Sequence, residues 1–125
     1  IKKGASKEDI ILKSEGNQLY SYCYVADAVS ALLTILLAGQ RGEAYNISDE
    51  KSDISLRDLA YMIAEYAGVK VRFELPDEVE SAGYSKATKA LMKSGKLKSL
   101  GWSAGWSMKD GVRETLRKLD KDFKG

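Results

Sequence analysis

Hydrophobic and polar positions change rhythm along this chain, and each change marks an element. Ile10, Ile11 and Leu12 form a short apolar run that closes at Ser14-Glu15-Gly16-Asn17, a turn-rich tetrad, before a second run opens at Gln18. That arrangement predicts a hairpin. Across residues 18–25, Tyr20, Tyr22 and Tyr24 fall on one face and Leu19, Ser21, Cys23 and Val25 on the other, the two-residue period of a strand. The tyrosine stripe reads as cross-strand packing with the phenol oxygens at its rim.

The next stretch loses that alternation. Between Ala28 and Ala38 only Ser30 and Thr34 are polar, so the predicted helix is apolar around nearly its whole circumference. Asp27 reads as its N-cap and Gly39 as a left-handed C-terminal stop. Leu32, Leu33, Ile35, Leu36 and Leu37, each worth roughly 1.5–3 kcal/mol when buried, are expected to dominate the core. A small hairpin offers too little surface to cover them, which points to a partner layer elsewhere.

After the connection Gly39-Gln40-Arg41-Gly42, residues 43–48 read as a short strand carrying Ala44, Tyr45 and Ile47. A polar loop at residues 49–53 leads to Ser55-Leu56-Arg57-Asp58, a capping-box pattern. Leu56, Leu59, Ala60, Ile63, Ala64 and Ala67 follow at helical spacing, and Gly68 stops the helix. Val69, Val71, Phe73 and Leu75 then alternate with Lys70, Arg72 and Glu74 until Pro76, predicting a strand with one dry face and one wet one.

Residues 77–93 have no period and read as a long loop with at most one helical turn or short strand, a length that marks functional or disordered segments. Residues 94–100 form a short helix stopped by Gly101, and Trp102 and Trp106 flank a turn. Ser107-Met108-Lys109-Asp110 is a second capping box, behind which Met108, Val112, Thr115, Leu116 and Leu119 share one side of the last helix. Residues 121–125 read as a frayed tail.

Composition narrows the function more than it names one. A chain of 125 residues with 30% charged and 44% hydrophobic positions fits one globular domain with a real core. The net charge of +2 is too small, and its lysines too scattered, to imply a nucleic-acid partner. No apolar run is long enough to span a membrane, and no signal peptide opens the sequence. A single Cys23 excludes an internal disulfide, and the absence of histidine removes histidine bases and the usual zinc sites. A reducing, cytoplasmic setting is the expectation. The chain opens at Ile1 on what reads as the tail of a helix, so a fragment of a longer protein is expected.

Catalytic patterns are scarce. The sequence contains no GxGxxG, GxxGxxG or GxxxxGK phosphate loop. Tyr66 and Lys70 have YxxxK spacing, but Gly68 ends the helix between them and turns the side chains apart. The carboxylate pairs Asp49/Glu50 and Asp77/Glu78 read as solvated loop groups. Ser55 reads as a cap, although the helix N-terminus that it opens also attracts phosphate.

The ordered run of G-x-Q-x-x-S-Y-x-Y-V at residues 16–25, Asp27-Ala28-Val29, GEAYNIS, ISLRDLA and SGKLKSLGW with a capped closing helix resembles the C-terminal part of the extended short-chain dehydrogenase/reductase family. Its members are NAD-dependent nucleotide-sugar epimerases and dehydratases. The resemblance covers residues 10–119. It implies an α/β, Rossmann-type enzyme of which this chain is the substrate-binding portion, with mixed short strands and about four helices but without the dinucleotide-binding sheet. In such enzymes NAD, the glycine-rich loop and the catalytic tyrosine and lysine belong to the N-terminal part, so no catalytic, cofactor or metal residue is expected here.

The resemblance also assigns binding positions. An arginine normally follows the Q-x of the first motif, and Tyr20 stands in its place, which removes a bidentate phosphate clamp. A second family arginine is missing from residues 83–91, where Lys86 and Lys89 offer point charges instead. Ser55 matches the helix start that approaches the nucleotide. Tyr20, Ser55, Lys86 and Lys89 are therefore the expected substrate-binding residues, with a nucleotide-sugar as ligand and a homodimeric parent. The strand at residues 43–48 would join the edge of the parent's parallel sheet, and without it the chain is expected to self-associate. The alternative is a non-catalytic binding or interaction module that kept the fold and lost the phosphate arginines. A reductase acting on a different small ligand is a third reading.

Overall fold

A computed structural model describes residues 1–75 and 88–119. In chain order these form α1 (Lys2–Ala5), β1 (Ile10–Leu12), β2 (Leu19–Tyr20), α2 (Val25–Ala38), a 3-10 turn (Glu50–Ser52), β3 (Ile54–Ser55), α3 (Leu56–Ala67), β4 (Val71–Phe73), β5 (Lys89–Ala90), α4 (Gly95–Lys98) and α5 (Met108–Leu119). The mixed short strands and helices are those of an α/β domain, as the sequence implied. Most of the expected loop at residues 77–93, including Lys86 and the Asp77/Glu78 pair, and the tail at residues 121–125 lie outside the described residues.

The capped helices formed where local chemistry demanded. Ser55 Oγ accepts the Asp58 amide at 3.0 Å and donates to Asp58 Oδ2 at 2.6 Å. Ser107 Oγ makes the same pair of bonds to Asp110 at 3.1 and 2.6 Å. Each serine satisfies an amide that the first helical turn leaves without a partner. Gly68 ends α3 at φ 68°, a left-handed backbone that only glycine adopts without strain.

Those two helices build the first core. Ile63 and Ala67 of α3 meet Val112 and Leu116 of α5, with Ile10, Val69 and Met108 packed around them. α1 closes on this cluster through Gly4, where a Cβ would lie 2.9 Å from Ile63 Cγ2. A second core joins Ala31 of α2 to Leu97 of α4 and Trp102, with Ile35, Tyr45 and Ile47 beside them.

The strands pair at long range, and no hairpin joins β1 to β2. β1 runs parallel to β4, Ile10 opposite Val71 and Leu12 opposite Phe73. Asp9 fixes this register, accepting from Arg72 Nε at 2.6 Å and from the Lys70 amide at 3.1 Å. The turn after β1 is drawn to α3 instead of closing on itself: the Arg57 amide donates to the Gly16 carbonyl at 2.9 Å, and Arg57 Nε donates to the Glu15 carbonyl at 2.7 Å. β2 lies between an antiparallel β3 and a parallel β5.

The tyrosine run is a strand only as far as Tyr20. Tyr24 occupies the N-cap position and Val25 already belongs to α2. Asp27 is therefore in the first turn, not at the cap, because its carboxylate is pulled inward to the Gly105 and Trp106 amides at 2.9 and 3.0 Å. Gly39 ends α2 in extended backbone, φ −70° and ψ 151°, rather than in the left-handed region. Residues 43–48 form no strand among the described residues. They are tied by side chains instead, Asn46 Nδ2 donating to the Lys93 carbonyl and Ser48 Oγ to that of Met92. Asp49 is buried, not solvated: it accepts from Ser52 Oγ at 3.0 Å and caps the 3-10 turn.

The expected burial of α2 is overturned. Among its apolar residues Ala31 alone is fully buried, whereas Leu36 is 79% and Leu37 85% exposed, and Val29, Leu32 and Leu33 are exposed with them. The described residues pack only the Ala31 side of the helix. Its two hydroxyls turn back on the helix itself, Thr34 Oγ1 donating to the Ser30 carbonyl at 2.9 Å and Ser30 Oγ to that of Asp27 at 2.8 Å. The dry face of β4 is likewise uncovered beyond Val71, with Phe73 and Leu75 exposed. Phe73 rests against Tyr61 and under the Arg57 guanidinium, 5.3 Å above its ring.

Candidate functional site

The three-stranded sheet sorts the binding residues expected from the sequence. Ser55 on β3 and Lys89 on β5 both register with Leu19. They flank β2 from opposite sides, at about 10 Å across two strand spacings. Tyr20 registers with Ile54 and Ala90 and so takes the other face. Ser55 and Lys89 are thus brought together, and Tyr20 is not brought with them. The Ser55 hydroxyl is engaged by its cap, and Lys89 is exposed.

The residues after Tyr20 make the better-formed recess. Tyr22 sits edge-on to Tyr20, ring centroids 6.2 Å apart, and lines a cavity of about 280 Å³ with Cys23, Tyr24, Ser52, Trp106 and Ser107. Its opposite wall is the start of α5. Gly111 admits the Tyr24 ring there, since a Cβ would stand 3.0 Å from Tyr24 Cδ2. The rings of Tyr24 and Trp106 pack with centroids 4.6 Å apart, tilted 40° to one another. Two further hollows adjoin the cavity through Ser52, Ser107 and Met108: one of about 320 Å³ with Lys51 and Lys109, one of about 380 Å³ with Asp49, Lys98 and Ser103.

Charge around this recess is modest and mostly tied down. Ser21 Oγ donates to Asp53 Oδ1 at 2.6 Å and accepts the Met92 amide at 2.8 Å, pinning β2 to the segment after β5. Lys98 Nζ donates to Glu50 at 2.7 Å, and that bond holds the Glu50 carboxyl below its ordinary range. Burial raises the Tyr22 phenol, with Tyr20 adding to the shift. Burial also raises the Cys23 thiol, reinforced by Asp27 and Asp49, so the sulfur stays protonated and poorly nucleophilic.

The recess therefore offers aromatic surfaces, hydroxyls and nearby lysines. It lacks a base aligned on a nucleophile, and no group of three or more metal-ligating side chains occurs among the described residues. Tyr66 and Lys70 make no catalytic pair: Gly68 separates them, and Tyr66 packs on the core with Arg113 over its ring. Sequence reasoning missed Tyr22, Ser52 and Trp106 because they come from separate segments of the chain, Tyr22 and Trp106 lying 84 residues apart (22 to 106). The signal on hand was the second tyrosine of the stripe, read as packing alone.

The match to known proteins is broad along this chain and partial along theirs. The sequence model of the NAD dependent epimerase/dehydratase family matches residues 1–48. The dTDP-D-glucose 4,6-dehydratase of Mus musculus is 31% identical over 115 residues, which are 90% of this chain and 32% of that protein. The low-salt glycan biosynthesis protein Agl12 of Haloferax volcanii is 27% identical, over 90% of this chain and 35% of its own. The fold matches UDP-glucose 4-epimerase of Thermotoga maritima, solved with UDP-glucose, at a TM-score of 0.77 and 22% identity, over 93% of this chain and 36% of that one. Bordetella bronchiseptica WbmF, solved with NAD+ and UDP, matches at 0.72 and 25%, over 93% and 33%.

The chain thus spans about a third of the length of the relatives it matches. The sequence contains no GxGxxG or GxxGxxG turn of the kind that cradles a dinucleotide. Among the described residues no helix is long and apolar enough to cross a membrane. Matched in sequence to these enzymes over nine tenths of its length and in fold to the same group, the chain is similar to the NAD-dependent epimerases and dehydratases of the extended short-chain dehydrogenase/reductase family.

Proposed function

We propose that this chain is the nucleotide-sugar-binding segment of an NAD-dependent epimerase/dehydratase-like enzyme and does not catalyse on its own. The observation that carries the reading is the alignment of nine tenths of the chain with enzymes named for nucleotide sugars. The recess fits such a ligand in kind. Tyr22, Tyr24 and Trp106 supply ring surface, while Ser52 and Ser107 supply hydroxyls at its rim. Lys51 and Lys109 in the adjoining hollow, with Lys89 on β5, bring positive charge for a diphosphate. Tyr20, Ser55 and Lys86 remain part of the proposal as the positions matching the family's binding motifs. The parent enzyme would supply NAD, the catalytic tyrosine and lysine, and a homodimeric frame in the cytoplasm.

Calorimetric titration with UDP-glucose, dTDP-glucose and NAD tests this. Binding of a sugar nucleotide without NAD, weakened several-fold by Tyr22→Ala or Lys89→Ala, is the expected result. Silence toward every sugar nucleotide overturns it. That outcome favours the second reading, a non-catalytic interaction module, which the arginine-to-tyrosine departure at Tyr20 and the bare face of α2 support.

A further inference from the structure

We propose that Asp27 is a positioning residue for the recess, a latch that holds the Trp106 wall against Tyr24; its consequence for ligand affinity rests on the nucleotide reading above. The Asp27 side chain is the one charged group on α2 and is only 6% exposed. A carboxylate placed there must be bonded on both oxygens to be tolerated. It is: Oδ1 accepts the Gly105 amide at 2.9 Å and Oδ2 the Trp106 amide at 3.0 Å. One turn further along α2, Ser30 Oγ accepts Trp102 Nε1–H at 3.0 Å.

The first two turns of α2 therefore grip the segment from Trp102 to Trp106 at three points, two of them charge-assisted bonds to a single carboxylate. What it grips is the recess itself. Ser103, Gly105, Trp106 and Ser107 line its hollows, and the Trp106 ring packs at a tilt, 4.6 Å from that of Tyr24, the residue from which α2 starts. Tyr24 and Asp27 thus hold Trp106 from its ring and from its backbone. Without the latch the wall keeps the ring contact and loses its backbone anchor. A planar ligand beside Tyr22 would then meet a mobile surface and lose affinity to the cost of ordering it.

The test uses tryptophan fluorescence and needs no ligand for its first arm. Trp102 is buried and Trp106 is 38% exposed, so acrylamide reports mainly on Trp106. Asp27→Asn replaces one acceptor oxygen with a donor, and quenching should rise roughly twofold as the segment opens locally. Asp27→Glu, which keeps both acceptors, should restore part of the protection. In the second arm, UDP affinity should fall roughly tenfold in Asp27→Asn, the effect of losing one charge-assisted hydrogen bond. If Asp27→Asn does not fold, Gly105→Pro removes one donor and leaves the carboxylate in place, and it should raise quenching in the same direction. Unchanged quenching in a folded variant overturns the latch. UDP failing to bind even the unaltered chain while Asp27→Asn still frees Trp106 overturns the nucleotide reading and leaves the latch standing.

Discussion

α3, twelve residues long, carries Arg57, Asp58 and Glu65 on one side and lays Ala60, Ile63, Ala64 and Ala67 into the core. α2, fourteen residues long, carries one carboxylate and buries only Asp27 and Ala31. The more apolar helix is the barer one. Apolar content measures how much cover a helix can accept, whereas the pattern around it tells where the cover lies. The stripe on α3 matches a stripe on α5, and Gly4 lets α1 close over the join. α2 has apolar residues on every side, and the described residues meet only one of them.

The sharpest way to break this contrast is to cut the same side chain on both surfaces. Leu116 is fully buried, so Leu116→Ala should lower the stability of the chain by about 3–5 kcal/mol in urea unfolding. Leu36→Ala should change it by less than about 0.5 kcal/mol. Equal losses would mean that α2 is covered in solution.

Association is the next reading of the same difference. Light scattering of the 125-residue chain should show a mass that grows with concentration, and Leu36→Lys with Leu37→Lys should return it to that of a monomer. An unaltered chain that stays monomeric at high concentration would show that the exposed face tolerates water. A smaller effect separates the helix starts. Ser55→Ala removes the cap of α3 and should cost about 1 kcal/mol, read as a lowered Tm.

The smallest effect is set by pH. Hydrogen bonds from Arg72, Lys98 and Arg117 hold the carboxyls of Asp9, Glu50 and Glu114 below their ordinary values. A carboxyl with a depressed folded value binds fewer protons when folded, so its contribution is complete above its unfolded value and is lost as pH falls through the folded one. The Tm should therefore hold above about pH 5 and decline slightly below about pH 4. Arg72→Gln should flatten part of that decline.

What was legible in the sequence was local. Ser55 with Asp58, Ser107 with Asp110, and Gly68 each announce a helix end through bonds made within a few residues, and all three ends formed as expected. The family resemblance was carried by motif order and needed no geometry. The failures were long-range. Nothing near Ile10 says that its partner is Val71 rather than the next apolar run, because Asp9 chooses it from 63 residues away, through Arg72. Asp27 looked like a cap because caps are built from aspartates, and the amides that draw it inward sit 78 and 79 residues further on. Of the four expected binding residues, the sheet unites Ser55 and Lys89, while the recess formed from Tyr22, Ser52 and Trp106, whose closeness no spacing encodes.

Thr34 and Ser30 give α2 a last property. Each hydroxyl proton is already spent on a carbonyl of the same helix. A surface arriving there would displace water from hydrocarbon without stripping these donors of a bond they need. The helix keeps its hydroxyl bonds within its own turns, so its exposed leucines can stand in water without leaving these donors unpaired.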